Sequence, residues 1–284
     1  MKLRSHFLNK LVNAEVEAYL DRNDAIIVPF GPTELHGGMP LDCETVLSEA
    51  LALILAERSN ILLLPNLPYI YSGATASGRG TIQLTVQESI SLLNGIAKSL
   101  LQSGFKRQIY ISLHGPSHIS IGPVVRDFFD QTGVPILYID GILAAQKSKI
   151  FTDPKSMMYN FDSMIVASYK LLGCLDDILL TTEFSEPITN SSAVFGHLKS
   201  QAFESSATGY YFLEHSDHMA TSPIPDEAKL EEMVDHGIRL LNQMADVIDM
   251  PKILEEMKTE EAYLAEVYER YPNVPAAFNN RSSD

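Results

Sequence analysis

Short unbroken apolar runs alternate along this chain with longer segments whose apolar positions recur every three to four residues. Residues 25–30, Ala-Ile-Ile-Val-Pro-Phe, form one run, and 61–65, 107–113 and 134–140 form others. Their length and their Gly, Pro and Asn boundaries read as strands buried on both faces. Between them, 45–58 carries Val46, Leu47, Ala50, Leu51, Leu53 and Ile54 at helical spacing. Helices are also predicted over 86–102, stopped by Gly104, over 124–131, ended by Gly133, and over 162–172, ended by Gly173. A long amphipathic helix follows at 226–248 and a charged one at 252–271. Residues 66–80 form a Gly-, Ser- and Tyr-rich loop, long enough to be functional. Strand–helix alternation predicts an α/β fold: a single three-layer α/β/α domain with a mostly parallel sheet covered on both faces. We assign that domain to residues 1–250. Residues 251–284 are read as a C-terminal helix and polar tail, the helix being a solvated face or an oligomer contact. No internal repeat or low-complexity linker interrupts the pattern.

Chemistry concentrates where two of these runs end. The first stops at Gly31-Pro32, and Thr33-Glu34-Leu35-His36-Gly37-Gly38 follows. In extended backbone Glu34 and His36, at i and i+2, project to the same side. A second acidic pair, Asp42 and Glu44, precedes the next helix. The run at 107–113 ends in His114-Gly115-Pro116-Ser117-His118. A lone histidine at a strand end is commonly a hydrogen-bonded structural group. Two such histidines, with a glutamate just before the first, point to a shared site for Zn, Mn or Fe. The C-terminal end of strands in an open α/β sheet is also where ligands bind. Cys43 could add a thiolate, although the donor set does not require one. His215-Ser216-Asp217-His218 is a further ligand-rich cluster, otherwise a polar loop before Thr221-Ser222-Pro223.

Composition narrows the field. The 284 residues are 45% apolar, ample for one large core. No apolar run approaches the roughly 20 residues of a membrane span, and charged residues interrupt any secretory h-region at the N-terminus. Two cysteines, Cys43 and Cys174, make no disulfide framework, so a cytoplasmic location is expected. A formal charge of −15 argues against nucleic acid or an anionic membrane as partner. Ser77-Gly78-Arg79-Gly80 lacks the Lys-Ser/Thr and following helix of a phosphate-binding loop.

Residues 31–45, Gly-Pro-Thr-Glu-Leu-His-Gly-Gly-Met-Pro-Leu-Asp-Cys-Glu-Thr, resemble the motif Gly-Ser-x-Glu-x-His-Gly-Pro-His-Leu-Pro-Leu-x-x-Asp-Thr of the creatininase (creatinine amidohydrolase) family. Arg79-Gly80-Thr81-Ile82-Gln83-Leu84 is similar to its Pro-Gly-Thr-Ile-Ser-Leu element. Ser112 to Ser117 is similar to its Asn-Gly-His-Gly-Gly-Asn, and Ala193 to Gly209 to a later Gly-rich segment. The resemblance implies a creatininase-like fold and one or two divalent ions, Zn ahead of Mn or Fe. It implies Glu34, His36, Glu44 and His114 as ligands. Aligned on Thr45, Glu44 takes the place of the family's bridging Asp, with Asp42 the rival and a helix N-cap otherwise. The family's His-Ala-Gly-x-x-Glu-Thr-Ser falls near 160–167, where its His and Glu are missing. Pro116 stands where relatives carry Glu or Gly. A substitute for the missing proton carrier is then expected among His118, His215 and Asp162, with His218 an alternative to His215.

The activity implied is metal-assisted hydrolysis of a non-peptide C–N bond in a small linear or cyclic amide, by a homo-oligomer, often a hexamer in relatives. Two other readings stay open: a non-catalytic binding or assembly subunit, and a biosynthetic enzyme using a metal without net hydrolysis.

Overall fold

The computed structural model describes residues 3–181, 191–201, 208–213, 217–219 and 221–274. Helix α1 (Asn13–Leu20) leads into β1 (Ala25–Pro29), followed by α2 (Cys43–Ser59), β2 (Leu62–Leu63), α3 (Val86–Gln102), β3 (Arg107–Ser112), α4 (His118–Thr132) and β4 (Leu137–Asp140). Helices α5 (Gly141–Lys147), α6 (Pro154–Leu172), α7 (Ser191–Gln201), α8 (Glu227–Ile248) and α9 (Met250–Arg270) complete the described chain. The four strands form one parallel sheet in the order β2-β1-β3-β4.

Strand alternation sends neighbouring side chains to opposite faces, and two cores result. Ala25, Ile27, Ile109 and Ile111 pack with α2, α5, α6 and α8. Ile26, Val28, Phe30 and Tyr110 pack with α1, α3 and α4. This is the predicted three-layer α/β/α arrangement, with the continuous apolar runs explained by burial on both faces. Helix α9 adds Met250 and Met257 to the first core while most of its length is exposed. No helix among the described residues is long and apolar enough to cross a membrane.

Several boundaries differ from the sequence reading. Helix α3 spans the predicted residues because Thr85 and Glu88 form a reciprocal capping box at its start. Helix α4 begins at His118, six residues before the predicted 124, and carries Pro123 in its second turn. Gly122 and Pro123 mask that start in sequence, since both weaken a helical reading. Helix α6 starts at Pro154 instead of 162; proline suits a first helical turn. Strand β4 starts at Leu137, after Pro135, which has no N–H to donate to a ladder. Helices α1, α5 and α7 were not anticipated; α1 is short and buries only Tyr19.

Helices α6 and α8 cross closely at Gly237, where an added Cβ would overlap the carbonyl oxygen of Ser163. Residues 161–169 of α6 are buried throughout. This rigid helix flanks the site described next.

Candidate metal centre

The end of β1 is tied to the start of α2. Thr45 Oγ1 donates to Pro32 O at 2.7 Å, and Gly31 packs against Thr45 where a Cβ would have no room. The intervening loop is closed by Glu34 N–H to Leu41 O at 2.7 Å. Ser48, one turn into α2, donates to Glu44 O and accepts from Leu113 N–H at 2.9 Å, joining α2 to the end of β3. These bonds bring Glu34, His36, Glu44 and His114 together, all buried. Ligand atoms of Glu34, Glu44 and His114 lie within 4.8 Å of one another.

A second group with the same spacing comprises Glu34, His36 and His218. His218 Nε2 lies 3.7 Å from Glu34 Oε1, and its ring stands at 90° to that of His36 with centroids 5.2 Å apart. Glu34 is common to both groups. His218 enters from the segment between α7 and α8, which two hydrogen bonds hold in place. Thr221 Oγ1 accepts from Gly38 N–H at 2.6 Å, and Asp162 Oδ2 accepts from Ser222 N–H at 2.7 Å. Gly37 adopts φ of +55°, and a Cβ there would also meet Met219 O at 2.8 Å. Glycine at 37 therefore serves both the left-handed turn and the close approach of Met219 and Thr221.

The remaining candidates lie elsewhere or act differently. Asp42 occupies the N-cap position of α2 but makes no side-chain cap bond. Its Oδ1 accepts from Tyr169 O–H on α6 instead; the predicted N-cap bond is thus replaced by a helix–helix tie. His118 opens α4, half-buried, with Nδ1 paired to Gly115 O at 3.0 Å, and it joins neither donor group. Asp162 is buried and accepts from Ser222 N–H. His215 lies outside the described residues. Cys43 packs in the core, where burial first and the surrounding carboxyls second push its thiol well above its ordinary range. It joins neither donor group.

The electrostatics follow from burial. Glu34 and Glu44 share a hydrogen bond between carboxyl groups, and Thr75 Oγ1 donates to Glu34 Oε2. Burial pushes Glu34 up to about 7. It pushes Glu44 well above the carboxylate range, with the Glu34 charge and the shared bond adding to the effect. Burial lowers His114 to about 3 and His218 to about 4. His36 also falls well below 6.5, through burial and the neighbouring imidazoles. Neutral imidazoles are the form that binds metal ions.

Glu34 Oε1, both nitrogens of His36, Glu44 Oε2 and His218 Nε2 are buried without a hydrogen-bond partner. Such orphans are costly and rare. Five in one cluster of carboxylate oxygen and imidazole nitrogen fit a divalent ion, whose preferred donors these are. His114 is pre-oriented: Nδ1 meets Ser117 Oγ at 3.2 Å, which in turn pairs with Ser112 Oγ at 2.8 Å. A partner of this kind on the far ring nitrogen is a usual companion of ligating histidine.

Sequence reading had treated His218 as a neighbour of His215 and a stand-in proton carrier. The available signal was the ligand-rich run from His215 to His218 itself.

A three-layer α/β protein with a buried Glu/His cluster beyond its parallel strands defines a class: an α/β protein with a candidate divalent-metal centre. The family profile described as creatininase, creatinine amidohydrolase, matches residues 9–168. The chain belongs to the creatininase family. A solved creatinine amidohydrolase (creatininase) is 19% identical, with a TM-score of 0.61 over 87% of this chain and 97% of that one. A putative creatinine amidohydrolase from Bacteroides fragilis NCTC 9343 is 17% identical, with a TM-score of 0.59 over 90% and 97%. A manganese creatininase is 20% identical, with a TM-score of 0.57 over 86% and 98%. At such identities these likenesses establish the shared fold. No curated protein matches by sequence. His218 lies beyond the segment that the family profile matches.

Proposed function

We propose that this protein is a divalent-metal-dependent hydrolase of a non-peptide C–N bond in a small amide. Glu34, His36, Glu44 and His114 would hold one or two ions, Zn, Mn or Fe. His218 would complete the set, its ligand atom lying with those of Glu34 and His36. The observation that carries this reading is the cluster of five orphaned, buried donor atoms. Two relatives lend support, a creatininase described as Zn-Zn type and one complexed with creatine. When bound, such an ion supplies Lewis acidity, activating water and polarising an amide carbonyl.

The chain's own residues supply the rest. Glu34, shared between the two donor groups, and Glu44 would give up their protons on binding an ion and set two negative charges against it. His36, His114 and His218, held neutral by burial, each have one ring nitrogen able to donate an electron pair, and at His114 an ion would replace the contact of Nε2 with Ser72 O at 3.3 Å. Phe161 and Phe212, packed on His36 and His218, keep bulk water from that side. Asp162 acts as a positioning residue, through its bond to Ser222 N–H, four residues after His218. A homo-oligomer belongs to the same reading and is testable by light scattering.

Metal analysis of purified protein, with an amide screen that follows water incorporation into product, tests the proposal. Stoichiometric metal and hydrolysis are expected. Metal without water incorporation would favour a biosynthetic role, and absence of both would favour a non-catalytic subunit.

A further inference from the structure

The donor cluster forms one end of a cavity of about 740 Å³, to which Glu44, His114 and His218 contribute. That volume lies in the range, roughly 300–1,000 Å³, of sites for drug-sized ligands. Its walls away from the cluster are apolar. Helix α5 and the following turn contribute Ile142 and Phe151, and α6 contributes Met157, Met158 and Phe161. Residues 208–212 add the rings of Tyr210, Tyr211 and Phe212, held over the loop before α3 by Phe212 N–H to Ala74 O at 3.0 Å.

The described residues of these walls carry little charge, the nearby Lys199 ammonium standing over the Tyr210 ring at 4.9 Å. Among the described residues lining the cavity there is no Lys or Arg, and Glu44 is the sole Asp or Glu. A carboxylate on a ligand, away from the cluster, would be desolvated without a counter-ion, and an ammonium would be no better placed. The chain's charge of −15 further disfavours an anion. The polar groups along the walls are neutral. Gln83 offers a buried amide oxygen with no partner of its own, suited to accept one N–H from a ligand. Methionine adds an adaptable surface that fits irregular apolar groups.

Resting on the hydrolase reading for the identity of the reacting group, we infer that the cavity selects a neutral amide with bulky apolar substituents. It takes the amide at the Glu/His end and the substituents against Met157, Met158 and Phe151. It rejects small polar amides and amides bearing a free carboxylate. Gln146, exposed at the cavity wall on α5, is a place where one charge would reverse that preference.

Calorimetric titration of the full-length protein, with and without added Zn, tests this using three probes. N-phenylhexanamide is apolar on both sides of its amide, adipic acid monoanilide carries a terminal carboxylate, and creatinine is small and polar. N-phenylhexanamide is expected to bind at least about tenfold more tightly than either of the others, since even one methylene in an apolar pocket is worth about that much. Gln146→Arg should tighten adipic acid monoanilide by about tenfold and leave N-phenylhexanamide within a few-fold. Circular dichroism checks that the variant folds. Equal or tighter binding of creatinine or the monoanilide to wild type overturns the inference, as does failure of all three to bind. Metal content, measured on the same samples, reports separately on the hydrolase reading. Metal-free protein that still prefers N-phenylhexanamide would sink that reading and keep this inference; metal-loaded protein that prefers creatinine would do the opposite.

Discussion

Glu34, His36, Glu44 and His114 reach the donor cluster from the ends of β1 and β3 and the first turn of α2, whereas His218 reaches it from the segment between α7 and α8. The first four form a floor. Their backbone is fixed by the parallel ladder and by short bonds such as Thr45 to Pro32 and Ser48 to Leu113 N–H. His218 belongs to a wall, held by Thr221 to Gly38 and Asp162 to Ser222. The floor is positioned by regular secondary structure and the wall by individual side chains. The two parts should therefore respond differently to mutation.

The largest effect is expected on the floor. Glu44→Ala should abolish stoichiometric metal binding, measured by elemental analysis, while Asp42→Ala keeps it. Loss of the ion from Asp42→Ala alone would reverse the roles of these two acids. On the wall, His218→Ala should weaken the ion by at least about 100-fold, since loss of an outer hydrogen-bond partner alone costs about 10–100-fold, with the floor donors intact. A chelator competition that gave wild-type affinity would remove His218 from the ligand set.

The next effect concerns how the wall is anchored. Burial raises Asp162 from 3.8 to about 6. Because its folded value lies above its unfolded one, the protonated acid lends stability fully below 3.8, and that contribution is lost as pH rises through 6. Asp162→Asn does not titrate. In metal-free protein, wild type should thus lose about 2 kcal/mol relative to the variant between about pH 4 and pH 7. Parallel denaturation curves at both pH values would show that Asp162 is not burdened in this way. Smallest is the tie between Asp42 and α6 at the edge of the floor. Tyr169→Phe should cost about 1 kcal/mol in urea unfolding, the usual net worth of a hydrogen bond, with metal affinity unchanged.

The same division explains what was legible in the sequence. Apolar runs at 25–30 and 107–113 located β1 and β3, because burial on both faces leaves an uninterrupted apolar signature. Glu34, His36 and His114 stood out since they follow those runs within a few residues. His218 lacked any such marker, as its role depends on a fold-back that local pattern does not encode. The starts of α4 and α6 were hidden for a different reason. Pro123 and Pro154 read as breakers in sequence, yet the structure accommodates both within helices.

The bond from Thr221 to Gly38 joins residues 183 positions apart in the chain. Contacts of such separation carry a loop-closure cost and tend to form slowly. During synthesis the floor can assemble once β3 has emerged, but the wall must wait until residues 217–222 leave the ribosome. A nascent chain therefore carries an acidic, half-built cation trap for as long as the second half takes to appear. At about 5–20 residues per second, the hundred or so residues between His114 and His218 amount to several seconds. On the proposed metal reading, the full donor set then exists only after residues 217–222 have been made.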